Sequence, residues 1–279
     1  MHRLMEIERF SDHITLYQGD CFEILPEIKD CDACITDPPY GCTTCKWDKS
    51  IDLNLFWPKV VASCKKNVPF ILFSDIRFAV NLITTCKVKF RYDLVWAKNI
   101  PVGFLNANKL PLRKHELILV FYNGKSGEIY HPQKVKGIPY KAAHTTPTPI
   151  YRAKSGRRQT VYDGWRYPTS VLEFDRPQKE RIHPTQKPIP LMEWLVKTYS
   201  NENDTIIDPF MGSGSTCIAA ILNHRKFIGI EKDKENFSNA CVFIENTLKS
   251  IHNIGFIDNA ITKTVNKSSF KQLTLLEQC

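Results

Sequence analysis

The tetrapeptide Asp37-Pro38-Pro39-Tyr40 carries groups suited to chemistry on an amino group attached to an aromatic base. The lone pair of such an exocyclic amine is delocalised into the ring, so acceptors for its N–H groups favour attack by the nitrogen. The Asp37 carboxylate and the Pro38 carbonyl can both accept those hydrogen bonds, and the prolines hold the carbonyl in a fixed orientation. Tyr40 offers a stacking face for a base that has left the duplex. The alternative interpretation is a plain turn capped by Asp37.

A glycine-rich segment at residues 208–216 is predicted to bind a ligand between a strand and a helix. Gly212 and Gly214 let the backbone approach a ligand closely, and the following helix begins with free N–H groups. The segment is not a dinucleotide fingerprint, because Cys217 stands in the place of the third glycine. It is not a phosphate-binding P-loop either, because no lysine follows Gly214.

A cofactor with a positive charge fits this segment better than a phosphate. Asp208 would repel a pyrophosphate, whereas S-adenosylmethionine brings a sulfonium and an amino group. Phe210 can add apolar or cation–π contact. Glu231, at the end of the next predicted strand, can accept hydrogen bonds from both ribose hydroxyls. A tight turn without a ligand is the alternative.

Two cysteine pairs have the spacing of zinc ligands but are predicted not to bind a metal. Cys31 and Cys34 form one pair, and Cys42 and Cys45 form the other, seven residues further on. Zinc sites of this type usually separate their pairs by ~15–20 residues. The first pair also falls on a predicted strand, where side chains three residues apart point to opposite faces. Core thiols are the better interpretation.

The predicted elements alternate between strand and helix. Apolar runs predict strands at residues 13–18, 31–36, 68–73, 92–96, 116–121, 205–207 and 227–230. Helical periodicity predicts helices at residues 21–28, 53–64, 77–86, 191–199, 215–223 and 234–250. This alternation predicts an α/β fold with a mostly parallel sheet covered by helices on both faces. Ligands bind such sheets at the carboxyl ends of the strands, where both motifs lie.

Composition narrows the class of protein. The chain has 279 residues with 38 Lys and Arg against 29 Asp and Glu, a formal charge of +9 that favours a polyanionic partner. The charged start lacks the apolar run of a secretory signal, and no uncharged run approaches the ~18 residues of a membrane span. We therefore expect a cytoplasmic protein with reduced cysteines and no membrane association.

The two motifs together resemble the N6-adenine/N4-cytosine DNA methyltransferases of the permuted beta class. The family places the Asp-Pro-Pro-Tyr motif first and the cofactor glycines near the end, as this chain does at residues 37–40 and 208–216. The segments Arg113-Lys114-His115-Glu116 and Trp47-Asp48 also look like family landmarks. The resemblance covers residues 14–244. It implies a Rossmann-like methyltransferase fold, with a seven-stranded sheet, one antiparallel strand near its edge and a circularly permuted motif order.

The resemblance also implies the residues of a cofactor site. Asp20, followed by Cys21, would accept from the cofactor's adenine amino group, and Thr185, Gln186 and Lys187 would help to hold its methionine carboxylate. The implied S-adenosylmethionine site comprises Asp20, Cys21, Asp37, Thr185, Gln186, Lys187, Asp208, Pro209, Phe210, Gly212, Ser213, Gly214, Ser215, Thr216 and Glu231. The implied catalytic group is Asp37, Pro38, Pro39 and Tyr40.

Double-stranded DNA is the implied partner of a bacterial or phage-encoded enzyme, and the family also pairs with restriction endonucleases and forms homodimers. We expect a catalytic half at residues 1–122, a target-recognition insertion at 123–181, a cofactor half at 182–254 and a peripheral tail at 255–279. The insertion is basic and rich in aromatic residues. The predicted DNA contacts are Lys46, Lys98, Arg113, Lys141, Arg152, Lys154, Arg157, Arg158 and Arg166. For Lys98, capping a turn is an equal alternative.

Three other functions remain open at the level of sequence. The same fold can methylate cytosine N4, although cytosine-specific members more often have Ser where this chain has Asp37. Methylation of RNA or a protein glutamine is disfavoured by that Asp and by the motif order. A DNA-binding protein that has lost catalysis is the third alternative. It is disfavoured because every expected catalytic and cofactor position is filled.

Overall fold

The chain divides into two compact units. The computed structural model describes residues 6–41, 50–124, 128–143, 159–176 and 186–253. The larger unit comprises residues 1–131 and 170–279, and the smaller comprises residues 132–169. The smaller unit lies within the segment that we assigned to target recognition. The assigned tail at 255–279 lies outside the described residues.

The strands and helices follow one another in the predicted alternation. The strands are β1 (Glu6–Ser11), β2 (Ile14–Gln18), β3 (Ala33–Thr36), β4 (Pro69–Ser74), β5 (Lys89–Val102), β6 (Arg113–Tyr122), β7 (Val135–Lys136), β8 (Tyr140–Ala143), β9 (Gln159–Tyr162), β10 (Trp165–Arg166), β11 (Val171–Glu173), β12 (Thr205–Asp208) and β13 (Lys226–Glu231). The helices are α1 (Cys21–Ile24), α2 (Leu53–Ala62), α3 (Ile76–Thr85), α4 (Ile189–Tyr199), α5 (Ser215–Leu222) and α6 (Lys234–Asn253). Short 3-10 turns occur at Leu25–Glu27 and Phe104–Asn106.

One large sheet organises the larger unit, in the order β1-β2-β13-β12-β3-β4-β6-β5-β11. The neighbouring strands from β2 to β4 in this order pair in parallel. β6 runs antiparallel to both of its neighbours, β4 and β5. At the other edge, β1 runs antiparallel to β2. The Rossmann-like α/β class is confirmed. The sheet has nine described strands rather than seven, because β1 and β11 extend its edges. Two of the strands, β1 and β6, are antiparallel where one was expected.

Helices cover both faces of this sheet. Strand residues alternate between the faces, so that Ile35 and Ile71 belong to one buried cluster and Cys34 and Phe70 to the other. The first cluster is completed by α4, α5 and α6, and the second by α1, α2 and α3. β3 and β4 are buried along their whole length, as expected for the centre of a parallel sheet.

Aspartates start four of the helices. The side chains of Asp20, Asp52, Asp75 and Asp233 accept hydrogen bonds from backbone N–H groups in the first turns of α1, α2, α3 and α6. A carboxylate there satisfies a free donor and complements the positive end of the helix dipole. Among the described helices, none is both long enough and apolar enough to cross a membrane.

Candidate active site

The two sequence motifs meet at one edge of the sheet. β3 and β12 are neighbouring parallel strands, with Cα partners Ala33–Ile206 and Cys34–Ile207. The hydroxyl of Thr36, at the end of β3, donates to Asp208 Oδ1 at 2.6 Å. Thr36, the residue before Asp37, is therefore hydrogen-bonded to Asp208, the first residue of the glycine-rich segment.

Asp208 holds this turn in shape. It is buried, and its Oδ1 also accepts from the N–H of Phe210 at 3.1 Å, while Oδ2 accepts from the Thr216 hydroxyl at 2.6 Å. Burial raises the pKa of Asp208 to about 6, against the lowering effect of these hydrogen bonds. Both carboxylate oxygens accept hydrogen bonds from the chain itself, so Asp208 stabilises the turn, and its contact with a cofactor stays a prediction.

The two glycines of the turn answer different needs. Gly212 and Gly214 both have positive φ, of +50° and +78°. A Cβ on Gly214 would lie 2.8 Å from Cδ1 of Ile244 in α6. A Cβ on Gly212 would meet no heavy atom of the described residues within 4 Å. Gly214 thus permits close helix packing, whereas Gly212 borders open space that a ligand can occupy.

Glu231 lies beside that open space. Its Oε2 accepts from the N–H of Gly212 at 3.1 Å, and its Oε1 accepts from the N–H of Asp233 at 2.8 Å. Burial raises the pKa of Glu231 to about 7. An ionised carboxylate has about four acceptor positions, so each oxygen keeps one for a ligand hydroxyl.

The predicted adenine segment adjoins Glu231. β2 pairs with β13 so that Gln18 faces Glu231, and the N–H of Gly19 donates to the Glu231 carbonyl at 2.9 Å. Asp20 caps α1 and also accepts from Lys232 Nζ at 2.8 Å. Cys21 is buried, which raises the pKa of its thiol to about 12.

The other residues of the turn pack within the protein. The hydroxyls of Ser213 and Ser215 are 3.1 Å apart, and both residues are buried, as is Thr216. The ring of Phe210 lies 5.8 Å from that of Phe56 in α2. Pro209 occupies the position between Asp208 and Phe210.

Asp37 belongs to a chain of paired charges. Its Oδ1 accepts from the Tyr40 hydroxyl and its Oδ2 from Lys187 Nζ. Lys187 Nζ also lies 3.2 Å from Glu116 Oε2, and Glu116 Oε1 accepts from Lys98 Nζ. We call Asp37, Lys187, Glu116 and Lys98 the charge network. It contains two cations and two anions and is neutral as a whole.

The network is buried at its cations and remains charged. The side chains of Lys98 and Lys187 are 5% and 9% exposed. Burial acts to raise the pKa of Glu116, but Lys187 and Lys98 outweigh it and bring that pKa down to about 2. Burial acts to lower the pKa of Lys187, but Asp37 and Glu116 raise it above its ordinary value. Mutual pairing therefore keeps Glu116 and Lys187 ionised at neutral pH, whereas for Lys98 burial outweighs the pairing and lowers its pKa.

The family model for N6/N4 DNA methylases matches residues 31–241 of the chain. The protein belongs to this family. The predicted resemblance is thereby confirmed, and the protein is a DNA methyltransferase of the N6/N4 type.

Relatives span nearly the whole of this DNA methyltransferase. Type II methyltransferase M1.MboII of Moraxella bovis is 26% identical over 259 residues, which cover 84% of this chain and 97% of that protein. The crystal structure of the M1.HpyAVI–SAM complex is similar with a TM-score of 0.59 and 26% identity, covering 84% of this chain and 98% of that one. The cytosine-N4-specific PvuII DNA methyltransferase shares the fold, with a TM-score of 0.58, 14% identity and coverage of 92% and 93%.

Sequence reasoning missed part of the methyltransferase's charge network. Glu116 was only a landmark, and Lys98 was assigned to DNA. The structure instead places Lys98 below the surface and pairs it with Glu116, so its charge is not presented to a phosphate. The signal lay in strand direction: β6 is antiparallel, so its first residues lie at the same sheet edge as the ends of β3 and β4.

Lys187 has two carboxylate partners in the structure, Asp37 and Glu116. Its expected part in holding a cofactor carboxylate stays a prediction. Gln186 precedes it directly, whereas Thr185 lies outside the described residues.

The remaining predicted DNA contacts fall into three groups. Arg113 is partly exposed and lies 3.9 Å from Asp75 in the larger unit. Lys141 and Arg166 are exposed in the smaller unit. Lys46, Arg152, Lys154, Arg157 and Arg158 lie outside the described residues.

The smaller unit of the methyltransferase combines basic and aromatic side chains. It contains two antiparallel ribbons, β7 with β10 and β8 with β9. The rings of Tyr140 and Tyr162 stack with centroids 4.9 Å apart, and the Arg166 guanidinium lies 5.2 Å from the Tyr140 ring. Lys136 lies over Trp165 at 5.1 Å. Such aromatic and cationic faces suit contact with nucleic acid.

Proposed function

We propose that this DNA methyltransferase uses S-adenosylmethionine to methylate the N6 amino group of adenine in a base flipped out of duplex DNA. The observation that carries the proposal is the Thr36–Asp208 hydrogen bond, because it joins the Asp37 motif to the glycine-rich turn at one sheet edge. An Asp at the first motif position favours adenine over cytosine N4.

The residues around Gly212 fit the proposed cofactor. Open space lies above Gly212, and the adjacent Glu231 carboxylate keeps acceptor positions for the two ribose hydroxyls. Asp20 lies beside Glu231 and retains partial exposure for the adenine amino group. When bound, S-adenosylmethionine supplies an electrophilic methyl group. The M1.HpyAVI structure is a complex with this cofactor and supports the assignment.

Asp37 acts on the target amine. Tyr40 and Lys187 each donate one hydrogen bond to it, which leaves acceptor positions on the ionised carboxylate for a substrate N–H. The carboxylate draws the N–H hydrogen toward itself, favours a localised lone pair on nitrogen and takes up the proton released on methylation. The Pro38 carbonyl is the second acceptor.

Tyr40 and Lys187 position that carboxylate. The Tyr40 ring packs against Phe78 of α3, with centroids 5.2 Å apart, so the hydroxyl approaches Asp37 from a supported ring. Lys187 Nζ lies 4.7 Å from the ring centre of Phe73 and is held further by Glu116. Glu116 and Lys98 therefore act on the reaction through Lys187, without touching the substrate.

The DNA itself is recognised by basic surfaces. We propose that residues 132–169 contribute to target recognition through the aromatic and cationic faces of Tyr140, Trp165 and Arg166. Association with a cognate endonuclease and formation of a homodimer stay predictions, because each requires a second protein chain.

Nucleoside analysis tests the proposed base directly. Unmethylated genomic DNA is incubated with the protein and S-adenosylmethionine, digested to nucleosides and examined by mass spectrometry, and a second portion is sequenced with modified-base detection. We expect N6-methyladenine in a defined sequence motif. N4-methylcytosine would contradict the adenine assignment, and unmodified DNA would contradict the proposed activity.

A further inference from the structure

The connection between β5 and β6 exposes large apolar side chains. Phe104 is 80% exposed and Leu105 is 102% exposed, at the tip of the connection. Ile100 and Leu110, on its two sides, are 40% and 53% exposed. Single exposed apolar residues are common, but four exposed apolar residues between positions 100 and 110, one at the end of β5 and three in the connection, are typical of an interaction site. We call residues 99–112 the finger.

The tip of the finger has a defined backbone. Gly103 adopts a left-handed conformation with φ of +93°, and a 3-10 turn follows at Phe104–Asn106. Asn106 N–H donates to the Gly103 carbonyl at 3.0 Å, and Leu110 N–H donates to the Asn106 carbonyl at 3.1 Å. The apolar side chains are therefore presented on an ordered turn.

A charged residue with an ion-pair partner in the larger unit flanks the finger on each side. Lys98 precedes it and pairs with Glu116 of the charge network. Arg113 follows it and lies 3.9 Å from Asp75, the cap of α3. Phe104 is six positions after Lys98 in the sequence, so its backbone can lie at most ~20 Å from that of Lys98 at the ~3.3 Å rise of an extended strand.

The charge of the finger and its flanks selects a polyanion. Between Lys98 and His115 the sequence contains Lys109, Arg113 and Lys114 and no acidic residue. Lys109 and Lys114 are exposed. A membrane or an acidic protein would also accept positive charge, but the family acts on DNA, and Lys98, which precedes the finger, is linked to Asp37 through Glu116 and Lys187.

We propose that the finger is a wedge for duplex DNA, in which Phe104 and Leu105 insert between base pairs next to the target. Apolar side chains that enter a base step unstack it and occupy the space that opens. The wedge thereby lowers the free energy needed to move the target adenine toward Asp37. This inference rests on the proposed function.

The test compares two DNA substrates with one double variant. Both are duplex oligonucleotides containing the motif found by modified-base sequencing. One is fully paired, and the other places an abasic site opposite the target adenine, which makes extrusion easier. For Phe104→Ala/Leu105→Ala we expect the single-turnover methylation rate to fall about tenfold or more on the paired duplex, and to stay within about threefold of wild type on the abasic duplex.

Val242→Ala is the matched control, because Val242 is an exposed apolar residue of α6. It should leave both rates unchanged. With 2-aminopurine at the target position, the fluorescence rise on binding should be present for wild type and Val242→Ala and reduced for the double variant.

Three results would overturn the wedge, and they separate it from the proposed function. Wild-type rates for the double variant on the paired duplex, or equal losses on both duplexes, would refute the wedge while the methyltransferase activity stood. A wild-type protein that methylated no DNA would refute the proposed function, and the wedge would fall with it.

Discussion

At the residue scale, the site combines groups whose ionisation is set by different surroundings. Burial without an opposite charge raises the pKa of Glu231, whereas two lysines bring the pKa of Glu116 down. The same residue type is therefore poised near neutrality at the cofactor turn and held ionised in the charge network.

Glu231 predicts a pH-dependent affinity for S-adenosylmethionine. Its pKa of about 7 means that lowering the pH from 8 to 6 protonates the carboxyl and removes ribose acceptors. Calorimetry should show wild-type affinity falling over this range by more than that of Glu231→Gln, which should be weaker throughout. The variant also corrects for titration of the ligand and of Asp208. Parallel pH profiles would contradict the ribose role.

The raised pKa of Glu231 also makes folding stability depend on pH. Folding raises the pKa of Glu231, so its contribution to stability is full below the ordinary carboxyl pKa and is lost as the pH rises through about 7. The fold thus carries an ionised Glu231 at a cost that ligand binding can offset.

Glu116 predicts the opposite pH dependence. Its folded pKa of about 2 lies below the ordinary value, so its stabilisation is present above pH ~4.5 and is lost as the pH falls toward 2. Glu116→Gln should lower the free energy of unfolding at pH 7 by less than the ~3–5 kcal/mol of a fully buried pair, because its side chain is 20% exposed. Urea denaturation at pH 7 and pH 3 should show the loss at pH 7 shrinking at pH 3.

Glu235→Gln provides the control for that comparison. Glu235 is exposed in the first turn of α6, so its substitution should change stability little at either pH. An equal loss in both variants would mean that Glu116 makes no special contribution.

At the element scale, strand direction brings distant residues together. β3, β4, β12 and β13 deliver their last residues to one edge, and antiparallel β6 delivers its first. The residues that follow these strand ends include Asp37 and Gly212, and Glu116 lies in the partly exposed first half of β6.

The sequence predicted the buried elements better than the exposed ones. Apolar runs located β3, β4, β6, β12 and β13, because strands covered on both faces need continuous apolar residues. β1 and the ends of β5 were missed, since their charged and exposed residues carry no burial pattern. The predicted first helix ends early because the chain changes to a 3-10 turn at Leu25–Glu27, with Pro26 in its first positions.

The sequence also predicted some site residues better than others. Asp37, Gly212 and Glu231 were predicted because motif and strand end coincide. For Lys98 the sequence left DNA contact and a turn cap as equal alternatives, because a lysine after an apolar run looks the same in sequence whether it faces DNA or a partly buried Glu116.

The two glycines predict separable effects. Gly214→Ala should destabilise the protein, because the new Cβ would lie 2.8 Å from Ile244 Cδ1 in addition to the ~1–2 kcal/mol of a left-handed backbone. Gly212→Ala incurs the backbone cost alone and should weaken S-adenosylmethionine binding, since its Cβ enters the open space. Denaturation and calorimetry on both variants check this, and equal unfolding free energies would contradict the packing role of Gly214.

At the scale of the whole molecule, a net charge of +9 accompanies the basic smaller unit. Arg166→Ala should weaken DNA binding and lower the slope of log Kd against log salt by about 1 if the guanidinium contacts a phosphate. Fluorescence anisotropy with a duplex oligonucleotide at several salt concentrations measures the slope. A slope equal to wild type would remove Arg166 from the DNA surface.

We propose that two stretches far apart in the chain form one site, in which Asp37 acts on the amine and the Gly212 turn holds the cofactor. Single-turnover methyl transfer by Asp37→Ala tests this arrangement, with S-adenosylmethionine affinity determined on the same preparation. We expect affinity close to wild type and loss of transfer by about two orders of magnitude or more. Methyl transfer near the wild-type rate would refute the role of Asp37.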